Sequence, residues 1–174
     1  MLDFANQIIQ GDSREILCQL PEKSVDIVFA DPPYNLTLRG DLWRPNQTKV
    51  DAVTDDWDQF ASLEAYDTFT RQWLGETRRV MKDTSSIWIS GTYHNIFRVG
   101  SILQDLGFWV LNMVSWKRSN AMPNFHGTRL KNDVEFIIWA KKSEMSKYHI
   151  NYHLLKQFNE GKQLGSVWEI PICS

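Results

Sequence analysis

Hydrophobic positions along this chain follow two alternating spacings. Residues 25–30 form a short, nearly continuous apolar run, which predicts a buried β-strand. From 63 to 81, and again from 95 to 106, apolar side chains recur at helical spacing, and Gly107 can end the second helix. The same reasoning predicts strands at 6–11, 87–89, 108–116 and 134–140, and a helix at 13–20.

The order of these elements predicts the fold class. Strands and helices alternate at first, and two strands then follow one another around a loop at 117–133. This order is typical of an α/β sheet with an antiparallel edge. Residues 35–62 contain few apolar repeats and predict a long loop of the kind that is usually functional or disordered. Residues 143–165 are polar, and no element is predicted for them.

Length and composition narrow the class of protein. The 174 residues, 43% of them hydrophobic, are enough for one domain, and residues 1–174 are taken as one. No apolar run approaches the roughly 20 residues that cross a membrane, so no membrane partner is expected. Cys18 and Cys173 lack metal-ligand spacing, which favours a cytoplasmic protein without a metal.

The distribution of charge is more informative than the net charge of −2. Residues 117–132 contain four Lys or Arg and no acid, whereas residues 50–70 contain six acids and no Lys or Arg. A charged stretch is most often only a solvated face. The basic segment nevertheless lies in a predicted loop, where it could neutralise the phosphates of a nucleic acid.

The strongest chemical signal is the sequence Asp31-Pro32-Pro33-Tyr34, directly after the strand at 25–30. Proline cannot continue a sheet ladder, so the strand must end here. Ligands of open α/β sheets bind at the carboxyl ends of strands. The Asp31 carboxylate and the Pro32 carbonyl can each accept one N–H of an amino group, and the Tyr34 ring can stack on a planar base. These residues predict a site that holds a base by its exocyclic amine.

This motif resembles that of the amino-group DNA methyltransferases, and the resemblance becomes narrower in the surrounding sequence. Over nearly the whole chain, the sequence is similar to the cell-cycle-regulated adenine methyltransferases that modify GANTC sites. The segments that carry this similarity are GDS at 11–13, DPPYNL at 31–36, DDWD at 55–58, GTYHNIFRVG at 91–100 and NAMPNF at 120–125.

The resemblance implies a Rossmann-like sheet that uses S-adenosyl-L-methionine to methylate the N6 amine of an adenine flipped out of double-stranded DNA. The catalytic roles fall on Asp31, Pro32, Pro33 and Tyr34, and Asp31 also lies beside the cofactor. Asp12 is expected to contact the adenine ring of the donor; the alternative is that it caps the following helix. A cytoplasmic, nucleoid-associated protein is implied, and a homodimer is compatible with the resemblance.

Six residues are expected to face DNA. Arginine can read guanine with two hydrogen bonds, and aromatic side chains in loops can wedge between bases or stack on them. The six residues are Trp43, Arg44, Trp57, Asn120, Phe125 and Arg129.

The sequence also departs from the family pattern. Relatives of this kind carry a Phe-x-Gly-x-Gly loop that holds the methionine end of the donor, and here no two glycines are separated by one residue. We therefore expect an incomplete sheet, an exposed edge at the strand 25–30, and a longer polypeptide, a complementing C-terminal segment or chain, or a truncated product. Cytosine-N4 methylation and a non-catalytic DNA-binding or assembly remnant stay open as alternatives.

Overall fold

The computed structural model describes residues 4–36, 56–124 and 127–172. A 3₁₀ turn, Asp56–Asp58, lies between the first two helices. The α-helices of these ranges are α1 Ser13–Gln19, α2 Leu63–Val80, α3 Ile96–Asp105 and α4 Tyr152–Phe158, and the strands are β1 Val25–Ala30, β2 Met81–Gly91, β3 Trp109–Lys117, β4 Val134–Lys141 and β5 Val167–Glu169.

The strands of the described residues form one mixed sheet in the order β1-β2-β4-β3-β5. β1 pairs in parallel with β2, and β5 in parallel with β3. β4 runs antiparallel to both of its neighbours, β2 and β3. The predicted α/β class is confirmed, but the antiparallel strand lies in the middle of this sheet and not at an edge, because β3 and β5 continue the sheet beyond it.

Helices α2 and α3 cover the central strands. Ser62 caps α2 by accepting a hydrogen bond from the Ala65 N–H, and the helix buries a stripe of side chains. The two predicted helices are confirmed to within about a residue at each end. The core joins these helices to β2 and β4; its fully buried members are Tyr66, Leu74, Met81, Ile87, Ile89, Ile96, Val99, Leu103 and Ala140.

Two sequence predictions about strands need correction. Residues 6–11 form no strand; Ile8 and Ile9 are exposed, so the apolar pair that suggested a strand does not pack into the sheet. β2 is much longer than the predicted 87–89, because it begins at Met81, which pairs with Val25 of β1, and includes the polar residues before Ile87. The register shifts between Val25 and Ile27, which opens an irregularity opposite these polar residues.

β1 is an edge strand of the described sheet. Ile27 is 63% exposed and Phe29 67% exposed, whereas a fully buried strand was expected from the apolar run. The face that carries Val28 and Ala30 packs against the core. The expectation that further strands belong beside β1 stays a prediction.

The remaining segments are only partly regular. The predicted loop 117–133 joins β3 to β4, and the described part of 35–62 contains the 3₁₀ turn. Helix α4 and strand β5 follow β4, where no element was predicted. In the described ranges no helix could cross a membrane, and no three potential metal ligands lie together.

Replacing Leu103 by Ala tests the α3 interface. Leu103 is fully buried, so its loss should lower the free energy of unfolding by about 2–5 kcal/mol. Phe97→Ala, on the same helix at a position 70% exposed, is the matched control and should change it by less than about 0.5 kcal/mol. Urea unfolding followed by circular dichroism measures both. Equal effects of the two substitutions would contradict this packing.

Candidate functional site

The Asp31–Tyr34 turn lies where β1 and β2 both end, and two hydroxyl groups hold its carboxylate. Ser90 Oγ, near the end of β2, donates to Asp31 Oδ1 at 2.5 Å, and Tyr34 Oη donates to the same oxygen at 2.7 Å. Burial raises the pKa of Tyr34 well above its ordinary value, so the hydroxyl keeps its proton and can donate. One oxygen of Asp31 therefore has two donors.

Two other acceptors of the turn are available to a ligand. No described residue donates to Asp31 Oδ2 or to the Pro32 carbonyl oxygen. An exocyclic NH2 group offers two N–H donors. These two acceptors are the pair that the sequence assigned to an amine.

A buried network of hydrogen bonds connects the turn to α2 and to the residues that follow β2. Tyr66 Oη donates to the Pro33 carbonyl at 2.8 Å, and Asn95 Nδ2 donates to Tyr66 Oη at 3.2 Å. Asn95 Oδ1 in turn accepts from the Thr92 N–H at 2.9 Å, and both Tyr66 and Asn95 are almost completely buried. A Cβ at Gly91 would lie 2.8 Å from Asn95 Oδ1, which explains a glycine there. Sequence reasoning missed this network.

The backbone that leaves the turn is held by Asp58. Its two carboxylate oxygens accept from the Asn35 N–H at 2.7 Å and the Leu36 N–H at 3.0 Å. Asp58 is only 9% exposed, whereas its neighbour Trp57, one of the predicted DNA-facing residues, is 66% exposed. The sequence singled out the segment but not this contact.

A cavity of about 360 Å³ opens beside the turn. Its wall is mainly apolar and includes Asp31, Pro32 and buried Trp73 from α2. The Trp73 indole N–H has no hydrogen-bond partner among the described residues. Other wall residues are Ile9, Gly11, Ile16, Val28, Phe29 and Phe69.

Asp12 caps α1 and is not in the wall of this cavity. Its carboxylate accepts from the Arg14 N–H at 2.9 Å and from the Arg14 guanidinium at 2.6 Å. The side-chain hydrogen bonds from Arg14 are the main cause that holds the pKa of Asp12 at about 2. The alternative prediction, a helix cap, is confirmed, and the contact of Asp12 with a cofactor stays a prediction.

On the other side of the turn, an ion pair closes the base of the 117–133 loop. Arg118 Nη1 lies 2.9 Å from Glu135 Oε1, and both side chains are largely buried. The Arg118 N–H also donates to the Asp133 carbonyl, and its guanidinium donates to the Asn132 carbonyl. Burial raises the pKa of Glu135, with a further contribution from the negative charge of Asp31. The loop base is therefore electrostatically coupled to the turn.

The predicted DNA-facing residues have different surroundings. Arg129 is exposed. Burial is the largest cause that lowers the pKa of the His94 imidazole, and the positive charge of the nearby Arg129 lowers it further. Both polar atoms of the Asn120 side chain bond the Ile172 backbone, at 3.0 and 2.8 Å, so this residue pins another segment of its own chain. Trp43, Arg44 and Phe125 lie outside the described residues.

Comparison with solved structures supports the fold. The PvuII DNA methyltransferase, which is cytosine-N4-specific, superposes with a TM-score of 0.66 at 18% identity, over 94% of this chain and 56% of that one. A DNA modification methylase of Thermus thermophilus, crystallised with S-adenosyl-L-methionine, gives a TM-score of 0.58 at 20% identity, over 91% of this chain and 66% of that one. These similarities show a DNA methyltransferase fold.

Comparison of sequences shows the family. The chain is 43% identical over 172 residues to the type II methyltransferase M.HinfI of Haemophilus influenzae, covering 99% of this chain and 48% of that protein. It is 37% identical over 162 residues to the type II methyltransferase M2.LlaDCHI of Lactococcus lactis subsp. cremoris, covering 92% of this chain and 60% of that protein. The chain thus spans about half to three fifths of these relatives. Residues 25–174 match the N6/N4 DNA methylase family, and the chain belongs to that family.

Proposed function

We propose that this chain holds the target base in the transfer of a methyl group from S-adenosyl-L-methionine to the N6 amine of adenine in double-stranded DNA. The observation that carries the proposal is the pair of free acceptors, Asp31 Oδ2 and the Pro32 carbonyl oxygen, to which no described residue donates at the end of β1. The GANTC sequence as target rests on the family resemblance alone.

The pair of acceptors explains how a weak nucleophile is activated. The lone pair of an aromatic amine is delocalised into the ring, so its nitrogen is planar and attacks slowly. Two acceptors aimed at the two N–H groups favour the pyramidal nitrogen, and this is catalysis by position and electrostatics. Tyr34 provides the stacking surface, while Pro33 keeps the turn out of the sheet. No covalent intermediate is required.

The cavity beside the turn fits the methyl donor. S-adenosyl-L-methionine supplies a methyl group on a positively charged sulfur, and the mainly apolar wall of the cavity includes one carboxylate, that of Asp31. The indole N–H of Trp73, without a partner among the described residues, is available as a donor to a ligand. Asp12 could accept from the adenine of the donor once its carboxylate leaves Arg14. The cofactor in the T. thermophilus relative supports this assignment.

DNA would approach across the surface that carries Trp57 and Arg129. Trp57 is exposed directly beside the Asp58 contact to the turn, and the positive charge of Arg129 lies near His94. Trp43, Arg44, Asn120 and Phe125 complete the predicted DNA-facing set. A protein that acts on chromosomal DNA would be cytoplasmic and nucleoid-associated.

A second segment would complete the enzyme. β1 leaves its outer edge unpaired in the described sheet, and Ile27 and Phe29 are exposed on the face of β1 opposite the core. We assign this edge to a complementing C-terminal segment or chain that carries the missing glycine loop. A homodimer is a further arrangement that the same edge would permit.

Cytosine-N4 methylation is the second candidate activity. The fold similarity to PvuII methyltransferase, a cytosine-N4-specific enzyme, favours it, and the two free acceptors suit either amine. The third candidate, a non-catalytic remnant, predicts that DNA binds while no methyl group is transferred.

In the protein complemented with the second segment, Asp31→Ala should abolish methyl transfer and leave the fold intact, because Asp31 supplies one of the two acceptors. Asp26→Ala is the matched control, since Asp26 lies on the same strand, is 73% exposed and pairs with Lys82. Tritiated methyl transfer measures the effect on duplexes that offer only adenine or only cytosine at the target position. A loss below tenfold, about 1.4 kcal/mol of barrier, would contradict the assigned role.

The charge of Arg129 should be measurable at His94. Because burial and Arg129 lower the pKa of His94, the unfolded chain binds more protons there, and stability should fall as the pH decreases below about 6.5. Arg129→Gln should raise the His94 pKa, whereas Lys131→Gln should leave it unchanged. NMR titration of the imidazole decides between them. An unchanged His94 pKa in Arg129→Gln would show that Arg129 does not act on His94, and would contradict its place near His94 on the proposed DNA-facing surface.

Residues 1–174 alone should transfer methyl groups at a negligible rate. They lack the glycine loop that would hold the methyl group of the donor in line with the acceptor nitrogen. Such positioning is worth up to about 7–11 kcal/mol in favourable cases. The missing segment, added covalently or as a second chain, should restore donor binding and transfer together. Calorimetry with S-adenosyl-L-methionine and the tritium assay measure the two. Full turnover by residues 1–174 alone would refute the proposal that a second segment is needed. An inactive complemented protein would instead favour the non-catalytic remnant.

A further inference from the structure

Asp58 joins the exit of the motif turn to the 3₁₀ turn that carries Trp57. We propose that Asp58 is a positioning residue of the methyl-transfer site, which fixes the turn and couples it to the contact of Trp57 with DNA. This inference rests on the function proposed above and assigns a role to a residue outside the motif.

The contact has the geometry of a strong clamp. Two oxygens of one carboxylate accept from two successive backbone N–H groups, at 2.7 Å from Asn35 and 3.0 Å from Leu36. Successive N–H groups form a concave anion site, and hydrogen bonds to a charged acceptor are stronger than neutral ones. Asp58 is 9% exposed, so little water competes for these bonds.

The clamp acts on a part of the turn that needs outside support. Asn35 has a φ of 55°, in the left-handed region that few side-chain-bearing residues other than asparagine, aspartate and histidine adopt. Such conformations persist where surrounding contacts impose them, and they cluster at functional sites. Asn35 directly follows Tyr34, so the Asp58 contacts set the path of the backbone that presents the stacking ring.

The other supports of the turn belong to the rigid core. Ser90, at the end of β2, holds Asp31, and the buried Tyr66 of α2 holds the Pro33 carbonyl. Asp58 differs because its neighbour Trp57 is 66% exposed. Among the described supports, Asp58 therefore connects the turn to a surface aromatic residue. A displacement of Trp57 by DNA would be transmitted to Asn35 and Leu36 through a single residue.

Amide hydrogen exchange tests the clamp without any assumption about activity. In the full chain, Asp58→Asn replaces one carboxylate oxygen by an NH2 group, which cannot accept, so exchange at Asn35 and Leu36 should accelerate at least about tenfold. Exchange at Ile89 should stay unchanged. Asp105→Asn, which removes an exposed carboxylate paired with Arg71, is the control and should change none of these amides. Unchanged exchange at Asn35 and Leu36 in Asp58→Asn would overturn the clamp.

The role in the reaction is tested with the complemented protein. Asp58→Asn should lower kcat by roughly 100-fold, since small displacements of a reacting group have effects of this size, with the KM for DNA changed less than about threefold. Asp58→Glu, which keeps the carboxylate, should recover part of the loss, and the melting temperatures of the variants should stay close to wild type. Three outcomes would overturn a positioning role: a rise in KM without a loss of kcat, a loss of kcat that parallels a fall in melting temperature, or no recovery of kcat in Asp58→Glu.

A double-mutant cycle tests the coupling to Trp57. If Asp58 transmits the contact, the kcat loss in Trp57→Phe combined with Asp58→Asn should be smaller than the product of the two single losses. Independent losses would overturn the coupling. If the wild-type complex methylates no duplex, the proposed function fails and the role in the reaction fails with it, whereas amide exchange still decides whether the clamp exists.

Discussion

The forced end of β1 is the constraint on which the whole site depends. Pro32 and Pro33 carry no N–H groups, so the backbone must leave the sheet directly after Asp31. Leaving the sheet releases carbonyl groups that a ladder would have occupied. Tyr66 satisfies the Pro33 carbonyl, and the Pro32 carbonyl is left without a donor among the described residues. The two prolines, which end the strand because they lack N–H groups, thus leave the Pro32 carbonyl oxygen as an acceptor to which no described residue donates.

The other contacts described for the turn restrict its motion without using the free acceptors. Ser90 and Tyr34 both donate to the same oxygen of Asp31, and no other described residue donates to the second oxygen. Asp58 fixes the exit of the turn through N–H groups, and so takes no acceptor either. Under the proposed function, the turn is therefore arranged before a base binds, and its polar groups need not reorganise during the reaction.

The motif and the main elements could be predicted from the sequence, because they are local. The run at 25–30, the prolines after it and the periodicity of 63–81 each depend on neighbouring residues, and their elements are confirmed. The strand at 6–11 was wrong because a local apolar pattern cannot show whether a partner strand is available. The exposure of β1 depends equally on its neighbours in space.

The supports of the turn could not be predicted for the same physical reason. Tyr66 bonds a carbonyl 33 positions away, and Asp58 bonds an N–H 23 positions away. Backbone N–H and carbonyl groups are identical at every residue, so the sequence carries no signal for which one a side chain will reach. Asp58 was visible only as one of several acids in a polar segment.

The free edge of β1 also bears on how a gene for such a protein can be arranged. Backbone N–H and C=O groups pair with any strand that presents a matching ladder, whichever polypeptide carries it. Only the connecting segments, not the hydrogen bonds, depend on the order of the strands along the chain. If the complementing segment proposed above pairs with this edge, its coding sequence and that of residues 1–174 can be exchanged in order, or separated into two reading frames, and still specify the same sheet.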